Sequence, residues 1–188
     1  MKLTEETQAK NLELFKKKLE EVAPENNLVE MYGEQLMKAT FSVSGPDSLV
    51  GDGTLINTLL RKLTPTALKL NEMLPEELRV GKAQLIKVCL LHQISKCIKV
   101  IPNDNEWEIE KRGLFYKYDN DLPSIRVGLH SLTMAQESNI KFTLQEVEAM
   151  TINDNSPSDN MTRFYSSVFA NLIKMANEFV YMAENAKQ

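Results

Sequence analysis

Two histidines, two cysteines and one tryptophan are all that the 188 residues hold of those three types, and each shortage removes a class of chemistry. With His92 and His130 as the whole supply of imidazole, a histidine-based acid–base or metal site has to be built from at most these two plus carboxylates. Cys89 and Cys97 stand eight positions apart on one predicted helix, which fits neither a disulfide framework nor a zinc spacing. Both are expected as reduced core thiols. Phosphate cradles are missing, because "GDG" at Gly51 to Gly53 lacks a later glycine, a Lys-Ser/Thr pair and a preceding strand. No nucleophile elbow occurs, and no apolar run is long enough to span a bilayer.

The amino terminus, "MKLTEETQAKNLELFKKKLEEV", is charged throughout and has no apolar block ahead of a small-residue cleavage site. That predicts no secretory signal, a cytoplasmic protein and no membrane association. A net charge of -4 with a pI near 5.4 argues against general nucleic-acid binding, which needs clustered Lys and Arg. Lys16 to Lys18 are followed by Leu19, Glu20 and Glu21 and read as a solvated helix face; the sequon at Asn160 reads as chance.

What is present is the composition of an ordinary globular protein, 43% hydrophobic and 26% charged. The length suits one domain over residues 1–188, with N-terminal helices in 1–40 ahead of a core over 50–180. Leu12, Phe15, Leu19 and Val22 predict an amphipathic helix from about Thr4 to Val22, and a second helix is expected over Leu28 to Ala39. Phe41 to Gly53 reads as loop. Apolar spacing predicts helix from Thr54 to Leu70 with a kink or break at Pro65, then a central apolar helix from Lys82 to about Lys99. Trp107 and Ile109 alternate on one side of Lys111, Arg112 and Gly113, with Leu114, Tyr116 and Tyr118 on the other. This predicts a small β-hairpin insertion over about 105–119. Helices follow from Val127 to about Glu137, from Thr143 to Thr151 behind a "TLQE" capping box, and from Met161 to Ala186. The last has an expected core stripe of Phe164, Val168, Leu172, Met175 and Phe179. The fold class is therefore all-α with a small hairpin.

One stretch on the central helix, "LLHQISKC", sets an imidazole beside a carboxamide among Leu90, Leu91 and Ile94. Together with the hairpin, "VGLHSLT", "TLQEVEAM" and "LIKMANE" in that order, it resembles the HD-domain phosphohydrolase superfamily over roughly residues 50–180. The resemblance implies an HD-like helical bundle whose relatives hold one or two divalent ions, Mn²⁺ or Mg²⁺, and activate water against a phosphoester. In the family pattern "LLHDIxK", His92 and Lys96 are kept while Gln93 stands in place of the metal-bridging Asp. Asn57 falls on an earlier His, Leu129 on a third beside His130, Asn153 on another His, and Asn177 on the last Asp.

Each exchange removes a charge or an imidazole nitrogen, so the mapped site is expected to hold no metal and to form a neutral amide cluster around His92. For His92 and Gln93 the plain reading, buried side chains satisfied by neighbours, comes before ligand binding and metal catalysis. Asp154 and Asp159 sit in "INDNSPSDN", whose mix turn chemistry alone selects. The resemblance implies a catalytically inactive HD-fold protein without cofactor that acts by binding a protein partner or in an assembly, compatible with a phage-encoded virion component or an inhibitor of a host factor. Two alternatives stand beside it. One is a residual nucleotide phosphohydrolase built from His92, His130 and Asp154. The other is a non-hydrolysing nucleotide or phosphate sensor using Lys96 or Arg126, with His92 and His130 as further candidate ligand-binding groups. Oligomeric state is left open.

Overall fold

A computed structural model describes residues 3–154 and 166–187. Among these the chain is mostly helical: α1 (Glu5–Val22), α2 (Leu28–Lys38), α3 (Thr54–Thr58), α4 (Thr64–Glu72), α5 (Lys82–Leu91), α6 (Lys96–Lys99), α7 (Glu106–Arg112), α8 (Val127–Glu137), α9 (Leu144–Thr151) and α10 (Val168–Asn185). One hydrophobic cluster runs from Phe15 of α1 to Val180 of α10. At its centre lies α5, where Leu85, Val88, Cys89, Leu90 and Leu91 are all fully buried, as befits a helix apolar on most of its circumference. Burial pushes the Cys89 thiol well up and that of Cys97 up to about 12, so both are inert thiols at neutral pH. No helix among the described residues is long and apolar enough to cross a membrane.

Pro65 does not break its helix. Its missing N–H and its ring would conflict with the carbonyl one turn back, and the chain answers with a π-turn over Leu59–Leu63. The Thr64 amide and hydroxyl both reach the Leu59 carbonyl, the latter at 2.7 Å, and α4 continues to Glu72. The capping box at α9 forms as expected: Thr143 Oγ1 accepts from the Glu146 amide, and the Glu146 carboxylate accepts from the Thr143 amide at 2.7 Å.

Three expectations need correction. The helix predicted from Lys82 to Lys99 stops at Leu91, because the Ser95 amide, which would bond the Leu91 carbonyl in a continuous helix, donates to Ser131 Oγ of α8 at 3.0 Å. Residues His92 to Ser95 form tight turns closed by bonds such as Ile94 N to Leu91 O. A two-stranded antiparallel sheet is present, but its strands are β1 (Val100–Pro102) and β2 (Tyr116–Tyr118). The expected first arm is α7 instead. Asn105 caps the Glu108 amide, Glu106 and Glu108 occupy the first turn, Lys111 and Arg112 the last, and Gly113 ends the helix at φ 64. "KRG" was a helix C-terminus in the guise of a hairpin turn.

The third correction concerns α10. Its buried residues are Phe169, Ala170, Leu172, Ile173, Ala176, Asn177, Val180 and Glu184, whereas Val168, Met175, Phe179 and Met182 are exposed. Among the described members of the expected stripe, only Leu172 is in the core. Packing on α4 and α9, and the pinning of Glu184 by Lys62 at 2.8 Å, turn the helix to bury the neighbouring face. The expected helix start at Met161, Phe164, Asp159 and the sequon at Asn160 lie outside the described residues.

Candidate functional site

The end of α5, the middle of α10 and the α9–α8 junction enclose a cleft of about 830 Å³. That volume is in the range of small-molecule sites. Buried His92, Gln93 and Lys96 form its floor, and Asn177, Tyr181, Arg126, Asn153 and Asp154 also line it.

Two backbone carbonyls decide the protonation of the floor. His92 Nδ1 lies 3.2 Å from the Val88 carbonyl, an acceptor only, so Nδ1 carries the proton and Nε2 carries the lone pair. Asn177 Nδ2 lies 3.0 Å from the Ile173 carbonyl, which orients that amide with its second N–H on His92 Nε2 at 3.0 Å. Asn177 Oδ1 then accepts from Gln93 Nε2 at 2.7 Å, and the same Gln93 nitrogen stands 3.1 Å from His92 Nε2. Reversing the Asn177 amide would set two oxygens together at Ile173; reversing Gln93 would do the same at Asn177. The price of this arrangement is Gln93 Oε1, which is buried with no partner among the described residues.

Burial dominates the electrostatics. His92, 1% exposed, is pushed down to about 4 by desolvation, helped by the charge of Lys96 and opposed by its Asn177 bond. A folded-state pKa below the unfolded value means that the unfolded chain takes the proton first. Stability is therefore lost as pH falls from about 6.5 toward 4, by roughly 3 kcal/mol. Histidine-ring NMR should show His92 as the neutral Nδ1–H tautomer from pH 8 to about pH 5; a midpoint above 6 would contradict the hydrogen-bond assignment.

Lys96 is 7% exposed, and its Nζ donates to the Phe41 carbonyl at 2.5 Å and lies 4.4 Å above the Phe41 ring. No carboxylate pairs with it among the described residues, and desolvation lowers its pKa to about 7. Asp154 works as a cap: its carboxylate accepts from the Gly128 and Leu129 amides at 2.8 and 2.7 Å, at the start of α8. Gly128 allows this close approach, since a Cβ there would strike the Met150 carbonyl. The Arg126 guanidinium donates to the Asp154 carbonyl.

Of the residues mapped by resemblance, the structure brings His92, Gln93, Asn153 and Asn177 to one cleft, with Lys96, Arg126 and Asp154. Asn57 is elsewhere, accepting from Asn11 of α1 at 3.3 Å. Leu129 is 49% exposed, and His130 lies outside the cleft within electrostatic reach of Lys99 and Glu137, its pKa lowered by burial. The two histidines do not share a site, and no three His, Cys, Asp or Glu side chains converge among the described residues. Tyr181 and Phe41 were not foreseen. Tyr181 had a signal, the i,i+4 spacing from Asn177 that puts both on one helix face. Phe41 had none, since it reaches Lys96 from a loop.

No family model matches the chain, and no curated protein or solved structure matches it.

Proposed function

We propose that the protein is a catalytically silent helical domain of the HD type that acts by binding, to a protein partner or within an assembly. One observation carries this reading: the lone pair of His92 Nε2 is occupied by amide N–H groups of Asn177 and Gln93. A divalent ion would have to displace both, and Gln93 and Asn177 offer it amide groups where the resemblance expects carboxylates. The residues present do not fit Mn²⁺ or Mg²⁺. The exposed stripe of Met175, Phe179 and Met182 on α10 supports binding over chemistry.

Metal analysis after incubation with Mn²⁺ or Mg²⁺, joined to a phosphatase and phosphodiesterase screen, should find neither stoichiometric metal nor turnover. Stoichiometric metal, or turnover abolished by His92→Ala, would overturn the reading. The size of the cleft, with Lys96 and Arg126 lining it, favours a second reading, a non-hydrolysing sensor of phosphate-bearing ligands. Such a sensor should melt higher as nucleotide concentration rises; a flat thermal-shift series would remove it.

A further inference from the structure

We propose that Lys96 is a nucleophilic amine that captures an aldehyde or ketone in the cleft as an imine. A buried lysine with a structural role is normally paired with a carboxylate, and among the described residues this one is held by a backbone carbonyl and the face of Phe41. A buried amine with no paired carboxylate among the described residues is one that desolvation keeps neutral and reactive. Lys99, also buried at 8% exposed, supplies the contrast: its Nζ lies 3.4 Å from the Pro123 carbonyl and it does not line the cleft.

A second observation points to a ligand at the same place. Gln93 Oε1, on a side chain 8% exposed, has no donor among the described residues, and Gln93 lines the same cleft as Lys96. The flexible stem of Lys96 lets Nζ turn from the Phe41 carbonyl toward the cleft.

The step balances without a co-reactant. The Nζ lone pair attacks the carbonyl carbon, a C–N bond forms, and the C=O π pair moves to oxygen. The carbinolamine then expels that oxygen as water. Both amine protons leave on the water, and nothing is oxidised or reduced. Tyr181, whose phenol is kept protonated by burial, lines the cleft against the Phe41 ring and can lend a proton to the departing hydroxyl.

This inference does not rest on the loss of metal chemistry, and its test avoids phosphate so as to stay apart from the sensor reading. The whole chain is incubated near pH 7.5 with salicylaldehyde, reduced with borohydride, and mapped by peptide mass spectrometry. The depressed pKa of Lys96 should give one adduct there, forming on the order of a hundredfold faster than at surface lysines. Lys96→Met and Lys96→Arg should both lose it; the second keeps the cation, and cooperative melting checks that each variant is folded. Slow adducts spread over surface lysines with Lys96 unmodified, or equal labelling of wild type and Lys96→Arg, would overturn the proposal.

Discussion

Replacing Lys96 with Met is expected to stabilise the folded protein by roughly 4–5 kcal/mol below pH 7 and by less than about 1 kcal/mol near pH 10. Desolvation moves the folded pKa from 10.5 to about 7. Between those values the unfolded chain binds a proton that the folded chain does not, so wild-type stability rises with pH across the window. Below the folded pKa both states are charged and the fold carries the whole desolvation cost. The full shift corresponds to roughly 4–5 kcal/mol. Urea titrations of wild type and Lys96→Met from pH 6 to 10 would read this directly; parallel pH profiles would refute it. Wild type should become steadily more stable over that range while the variant stays nearly flat.

Glu146→Ala is expected to destabilise by roughly 3–5 kcal/mol, because it leaves the Lys87 ammonium, only 14% exposed, without its ion-pair partner. The Glu146 side chain is 1% exposed, and its Oε1 stands 2.8 Å from Lys87 Nζ as an ion pair without hydrogen-bond alignment. Its other oxygen completes the capping box at Thr143. Thr143→Ala, which touches only the cap, should cost about 1 kcal/mol. Lys87 keeps the Lys141 carbonyl at 3.0 Å and the Phe142 ring in either variant, which places the loss near the lower end of the range. Urea midpoints at unchanged slope separate the two. A Glu146→Ala cost no larger than that of Thr143→Ala would show that the buried pair contributes nothing net.

Local chemistry made much of the fold readable. The "TLQE" box, the end of α1 before Pro24, and the apolar density of α5 depend on residues within a turn or two of one another, and all three stand as expected. At the end of α5 a distant partner intervened, Ser131 of α8 taking the Ser95 amide. In α7 the local signals themselves competed, and Asn105, Glu106 and Gly113 as caps outweighed the alternation of Trp107 and Ile109. On α10 two adjacent faces were both apolar, so periodicity could not say which faced inward. Phe179 at 48% exposed and Val180 at 3% differ by one position along the chain.

The candidate site divides in the same way. Sequence alone determined that histidine is scarce, that Gln93 and Asn177 are amides, and that His92 and Lys96 lie four positions apart in an apolar stretch. Those facts limit which charges and donors the cleft can hold. Only the tertiary structure decided that Asn177 meets His92 across 85 positions of chain, that Asn57 does not, and that Lys96 has a loop carbonyl and a ring for company. Helix signals act over about four residues, whereas the tautomer of His92 and the isolation of Lys96 are set by groups brought together when distant helices and a loop bury their apolar faces.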